Sequence, residues 1–201
     1  MAYKRIVKER KDSILHLMKI IARPILYPFF QIKTCGADNI PKDSAFILLP
    51  KHRRWEDIPL LGLATPRPLY YIAKYELFLN PLSRWFFSSL GGIPLNRERP
   101  LKSRSSLIMM IQFLKKNEGL VIFPEGTYFR ERVGPGHAGL IRMVRSRVGL
   151  PFIPVGLRYS NRKIRSVVNI NYGEPIYENN DKGNQAFINN IMKEVARLSG
   201  F

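Results

Sequence analysis

The sequence predicts an α/β domain, a mixed and mostly parallel sheet covered by helices, with a basic amphipathic helix in front of it. Three observations carry this prediction. Short β-rich runs are apolar along their whole length and do not alternate, as happens when both faces of a sheet are covered. Longer stretches with helical patterning separate those runs. Polar residues follow several of the runs directly, at the carboxyl ends of strands, where ligands gather in open α/β sheets.

The first segment, residues 1–33, begins with clustered basic residues. Ile14, Leu15, Leu17, Met18, Ile21 and Ile25 then recur at three- and four-residue steps beside Lys11, Lys19 and Arg23, the pattern of an amphipathic helix. Pro24 and Pro28 bend or end it. The longest uncharged stretch, "PILYPFFQI", falls far short of the roughly 20 apolar residues that span a bilayer. It lacks the small-residue cleavage site of a secretory signal. A basic helix ending in Phe29 and Phe30 suits the interface of an anionic membrane, on its cytoplasmic face. The other reading is a helix packed on its own domain. Residues 34–201 form the expected second segment. Strands are expected at "AFILLP", "LYYIA", "GGIPLN", "GLVIFP", "PFIPVGL" and "SVVNINYG". Helices are expected near 57–64, 81–89, 100–117, 136–148 and 182–199.

A chain of 201 residues suits one domain with a substantial core. Its hydrophobic content of 45%, with 12 Phe and 9 Tyr, excludes a disordered polycation. The single cysteine, Cys35, allows no intramolecular disulfide. A net charge of +18 calls for anionic partners, and nucleic acid, anionic lipid and acidic protein all qualify. The sequence has no RRM-type aromatic run, no zinc spacing and no helix-turn-helix signature, so nucleic acid is not an expected partner.

The strand ends are the chemically informative part. "AFILLP" runs into "KHRRWED", "GGIPL" into "NRER" and "GLVIFP" into "EGTYFR". Convergence of three such ends makes one cleft around His52, Asp57, Arg97, Glu125, Gly126 and Thr127. On a continuous helix His52 and Asp57 would lie about 140° apart. Fully extended they would be about 17 Å apart. Only a turn between them makes contact, with Asp57 and Pro59 in the first turn of the following helix. The spacing fits a base and its orienter, and it also fits a charged loop between strand and helix. No serine or cysteine is placed as a nucleophile and no G-x-S-x-G elbow is present. A hydroxyl activated by His52 would therefore belong to a substrate. His16 and His137 have structural positions, and no His/Cys cluster has metal spacing.

These residues resemble the glycerolipid acyltransferases typified by 1-acylglycerol-3-phosphate acyltransferases. "HRRWED" is similar to their H-x-x-x-x-D block, "GGIPLNR" to their second, "FPEGT" to their third and "LPFIPVGL" to their fourth. "AKYELF", between the first two, adds to the likeness, which runs from about residue 35 to residue 175. The resemblance implies that His52 deprotonates an acceptor hydroxyl, that Asp57 orients His52, and that the oxygen attacks an acyl thioester. It implies acceptor contacts from Arg97, Glu125, Gly126, Thr127 and Arg130, with Pro154 shaping the acyl or thioester side. The acceptor would be a lysophospholipid, foremost 1-acyl-sn-glycerol-3-phosphate. The donor would be an acyl-carrier protein or coenzyme A thioester, with no cofactor and no metal. One departure stands out: many members follow "FPEGT" with arginine, whereas Tyr128 and Phe129 precede Arg130 here. A different lysolipid acceptor is the alternative this leaves open, and a basic nucleic-acid-binding protein, suggested by charge and aromatics, is the lesser rival reading.

Overall fold

A computed structural model describes residues 9–96, 104–145, 149–160, 165–177 and 183–201. Helix α1 (Asp12–Leu26) leads into strand β1 (Phe30–Cys35). Then come β2 (Phe46–Pro50), α2 (Asp57–Ala64), β3 (Leu69–Lys74), α3 (Pro81–Ser89) and β4 (Gly92–Leu95). The second half holds α4 (Arg104–Lys115), β5 (Gly119–Val121), α5 (Ala138–Arg145), β6 (Phe152–Ser160), β7 (Ser166–Tyr172) and α6 (Asn184–Ser199). The strands form one sheet in the order β1-β7-β6-β2-β5-β3-β4, with every pairing parallel except β6 with β7.

The continuous apolar runs have a direct physical cause. Ile47 and Leu49 of β2 face a core completed by Met110 of α4, Ile141 of α5 and Ile191 of α6. Phe46 and Leu48, on alternate positions of the same strand, face a second core with Leu60 and Leu61 of α2. With helices on both faces, every residue of β2 is buried and no alternation survives. All six expected strand runs form strands. The helices expected near 57–64 and 81–89 match α2 and α3, and α4, α5 and α6 form within the other three expected ranges, of which residues 100–103, 146–148 and 182 lie outside the described residues.

Strand β1 was not expected. It lies across the division expected between residues 33 and 34 and pairs with β7 along its whole length. Pro28 stops helical continuation, and Phe30 and Ile32 pack on the second core while Gln31 and Lys33 are exposed. This two-residue period lies at the sheet edge, directly behind the helical pattern of α1.

Helix α6 closes over β6 at a glycine. A methyl group on Gly156 would stand 2.2 Å from the carbonyl carbon of Leu198, inside its van der Waals boundary. The obstacle is backbone, which cannot turn aside as a side chain does. Gly156→Ala is expected to lower unfolding free energy by about 1–3 kcal/mol, measured by urea denaturation. Unchanged stability would show that α6 does not pack this tightly.

Candidate active site

Strand β2 delivers the site. Its pairing with β6 continues one residue past the strand, through the Lys51 N–H to the Val155 carbonyl at 2.9 Å. The chain then turns before α2, whose first residue is Asp57. His52 and Asp57 meet across that turn, with His52 Nδ1 3.1 Å from Asp57 Oδ2. The same oxygen accepts the backbone N–H groups of Arg53 at 2.6 Å and Arg54 at 2.9 Å. The other oxygen, Oδ1, accepts the Tyr159 hydroxyl at 2.5 Å.

Asp57 is fully buried, which for a lone carboxylate would cost several kcal/mol. Its four donors contribute about 1.5–3 kcal/mol each, and the N-terminal end of α2 favours its charge further. The donors win, so the carboxylate is held in place by the turn it organises. An ionised carboxylate only accepts hydrogen bonds, so His52 Nδ1 carries the hydrogen and Nε2 carries the lone pair. The imidazole stacks on Phe123 with ring centres 3.9 Å apart, and Tyr128 leans against it at 4.4 Å. Burial, followed by the charge of Asp57, pushes the Tyr159 phenol well above its ordinary pKa. It therefore remains a donor to Asp57 throughout the neutral range.

A second buried pair lies beneath the first. Lys51 Nζ sits 2.8 Å and 2.9 Å from the two oxygens of Glu125, and both side chains are fully enclosed. Lys51 also donates to the Phe129 carbonyl at 2.6 Å and the His52 carbonyl at 3.3 Å. Glu125 accepts from the His52 N–H at 2.8 Å and the Gly134 N–H at 2.6 Å. Burial pulls the Lys51 pKa down, and the Glu125 carboxylate counters it. The pair clasps the loop after β2 to the loop after β5.

The residues expected from the sequence divide accordingly. His52 and Asp57 come together as the turn argument requires. Glu125, expected beside the acceptor, is enclosed, and both its oxygens are engaged within the protein, so its contact is with Lys51 and the His52 backbone. Gly126 adopts φ of +69°, the left-handed turn conformation that glycine takes without steric cost. Thr127 and Arg130 are exposed on the same loop. Pro154 is buried within β6, paired with Leu49. Arg97 lies outside the described residues. His137 is exposed, and its N–H bonds the Pro124 carbonyl. Two contributors escaped sequence reasoning, Lys51 and Tyr159. The only signal for Tyr159 was its place just beyond the apolar run of β6. For Lys51 it was a lysine set directly between an apolar strand and His52.

Fold and site together define an α/β protein with a histidine–aspartate pair at the carboxyl ends of a mostly parallel sheet. The Acyltransferase family model matches residues 31–158, and the chain belongs to that family. The 1-acyl-sn-glycerol-3-phosphate acyltransferase of Streptococcus pneumoniae is 33% identical over 172 residues, spanning 81% of this chain and 64% of the relative. The protein of the same name from Bacillus subtilis is 30% identical over 156 residues, spanning 73% of this chain and 74% of the relative. This chain spans 41% of the chloroplastic relative from Brassica napus. The crystal structure of the 1-acyl-sn-glycerophosphate acyltransferase from Thermotoga maritima shares the fold, with a TM-score of 0.72 at 23% identity. The match covers 94% of this chain and 78% of that one.

The clasp yields a stability prediction. Lys51→Met leaves Glu125 buried without its cation and is expected to cost about 3–5 kcal/mol in chemical denaturation. The Lys51→Met/Glu125→Gln double variant removes both charges while keeping an acceptor for the His52 N–H. It is expected to recover a measurable part of the loss. A double variant as unstable as the sum of its single changes would mean the two residues do not act as a pair.

Proposed function

We propose that this protein transfers a fatty acyl group from a thioester to the free hydroxyl of 1-acyl-sn-glycerol-3-phosphate, giving phosphatidic acid. The observation that carries this reading is the 3.1 Å contact of His52 Nδ1 with a buried, fully hydrogen-bonded Asp57. That contact leaves Nε2 as the basic nitrogen. The names of the relatives supply the acceptor and the reaction class.

In this mechanism His52 Nε2 takes the hydroxyl proton as the acceptor oxygen attacks the thioester carbonyl. The new C–O bond forms, the tetrahedral intermediate collapses and the C–S bond breaks. The departing thiolate receives the proton from His52, which returns to its starting state. Asp57 stabilises the imidazolium in between, and Tyr159 fixes the rotation of Asp57. No covalent acyl-enzyme is required. The donor is the thioester of an acyl-carrier protein or coenzyme A, and Arg97, Thr127 and Arg130 bind the acceptor.

His52→Ala is expected to lower kcat by about 10²–10⁴-fold. Asp57→Asn is expected to lower it by about 10²-fold or more, because the amide can hold the wrong tautomer. Tyr159→Phe loses one charge-assisted hydrogen bond, with an expected decrease of about 10-fold. Thiol release from acyl-coenzyme A with lysophosphatidic acid in detergent measures all three. Near-normal turnover by His52→Ala, or isolation of a stable acyl-enzyme, would overturn the mechanism.

The acceptor and product are lipids, and we place the protein peripherally on the cytoplasmic face of a membrane. The support is a cluster of exposed apolar side chains. Leu17, Ile20, Ile21 and Ile25 of α1 are exposed, as are Phe29 beyond its end and Leu82 and Trp85 of α3. Helix α3 packs against α1, and the Lys11 ammonium lies 5.9 Å from the Trp85 ring. Lysine beside aromatic and aliphatic side chains suits the headgroup boundary of an anionic bilayer. Among the described residues no helix is long and apolar enough to cross a membrane. The Ile21→Glu/Ile25→Glu variant is expected to lose at least about 10-fold in affinity for anionic vesicles in a sedimentation assay. Unchanged binding would move the membrane contact elsewhere.

A further inference from the structure

The imidazole of His52 lies between two aromatic rings. It stacks on Phe123 with centres 3.9 Å apart, and on its other side Tyr128 stands at 4.4 Å with the rings tilted by 58°. We propose that Tyr128 caps the imidazole against water, so that the base activates an acceptor hydroxyl and the acyl thioester is not hydrolysed. The inference rests on the acyl-transfer reading and names the residue that selects a lipid hydroxyl over water.

The two rings differ in what lies behind them. Phe123 is buried in the second core, whereas Tyr128 is 50% exposed. Between them the His52 side chain keeps only 11% of its surface accessible. Tyr128 is thus the outer wall of the base. The backbone on each side of it is fastened. Gly126 turns the chain at φ of +69°, and its N–H bonds the Phe123 carbonyl at 3.1 Å. On the other side, the Phe129 N–H bonds the His52 carbonyl at 2.9 Å, and the Phe129 carbonyl accepts Lys51 Nζ at 2.6 Å. The Phe129 ring fills the space that a side chain at Gly134 would need, which anchors it further. With its backbone held, Tyr128 uncovers His52 by rotating its own side-chain bonds, a step between staggered wells that an arriving acceptor can impose.

Direct transfer makes such a cap necessary. A base that takes a proton from a lipid hydroxyl also takes one from water, which is in vast excess. The side reaction is balanced: water gives a proton to His52 Nε2, its oxygen bonds the thioester carbonyl carbon, and the C–S bond breaks. The thiolate recovers the proton, and a free fatty acid is left. Keeping water from the base suppresses that reaction. An ordered water needs two to four polar partners, and the faces of Phe123 and Tyr128 offer it none of ordinary strength. Tyr128 also stands where the sequence departs from the pattern of the family it resembles. An arginine at that position would bring five N–H donors beside the base, whereas the tyrosine brings an aromatic ring and a single hydroxyl.

The test compares wild-type protein with Tyr128→Ala, Tyr128→Ser and Tyr128→Phe. Acyl-coenzyme A is supplied without acceptor, and release of free fatty acid measures hydrolysis. The expected result is a rise of about 10-fold in both truncated variants, with Tyr128→Phe within about 2-fold of wild type. A second readout needs no turnover: the rate at which diethyl pyrocarbonate labels His52, read by mass spectrometry, with the exposed His16 and His137 as internal references. Labelling of His52 should accelerate about 5-fold or more in the truncated variants while both references stay unchanged. Tyr128 is half exposed, so the truncated variants should keep the wild-type urea midpoint, and the serine variant reads the cap should the alanine variant be unstable. Unchanged hydrolysis in the truncated variants, a rise in Tyr128→Phe as large as theirs, or faster labelling without faster hydrolysis overturns the cap and leaves acyl transfer standing. If wild-type protein acylates no lysophosphatidic acid, the acyl-transfer reading falls and labelling alone decides whether Tyr128 covers His52. Acceleration in the truncated variants supports the cap, and an unchanged rate overturns it.

Discussion

One buried carboxylate fixes the geometry of this protein's polar face. Asp57 is closed off from solvent and its two oxygens take four donors, supplied by the turn after β2 and by β6. A charge so placed is stable only if every donor stays at its post, because loss of one leaves a partly solvated ion in a dry site. The requirement propagates outward. Strand β2 must end at Pro50 so that His52 can turn back, α2 must begin at Asp57, and β6 must run on to Tyr159. The orientation of the imidazole is a consequence of how this charge is satisfied.

The Lys51–Glu125 pair solves a different problem. Buried ion pairs contribute little net stability, because desolvation offsets most of their attraction. What this one contributes is connection. Lys51 takes the carbonyls of His52 and Phe129, while Glu125 takes the N–H groups of His52 and Gly134, so of the six hydrogen bonds four join the two loops and the other two brace one loop each. Asp57 sets the side chain of His52, and Glu125 sets its backbone. His52 is thus held from both ends, which limits how far its imidazole can wander.

The strands of the central sheet were legible because burial on both faces leaves an unambiguous apolar signature, as Phe46 to Leu49 show by dividing between two cores. The start of α2 was legible because contact between His52 and Asp57 requires a turn. Strand β1 was hidden, since Phe30 and Ile32 are too brief an alternation to stand out behind the helical pattern of α1. Tyr159 and Asp57 are 102 positions apart, and Lys51 and Glu125 are 74 apart. No local pattern carries such pairings. They follow from the adjacency of β6, β2 and β5, and that order is set by how the whole sheet closes. Glu125 illustrates the difference: its chemistry suggested a group facing a ligand, and only the neighbour that burial gives it reveals a clasp.

The same adjacency explains why one edge of the sheet gathers so much chemistry. Strand β2 runs parallel to both its neighbours, β6 and β5, so the carboxyl ends of the three lie along a common edge. Tyr159, His52 and Glu125 arrive there from three distant parts of the chain. Helix α2 starts at that edge with Asp57, and α1, which carries the exposed Leu17, Ile21 and Ile25, packs on α2. The exposed apolar side chains of α1 therefore lie close to the helix that carries Asp57. Charge and hydrophobicity are divided between adjoining surfaces, with exposed apolar side chains on α1 and Arg53 and Arg54 in the turn before α2. The net charge of +18 is in part local, because the turn that holds Asp57 places Arg53 and Arg54 directly beside the His52–Asp57 pair.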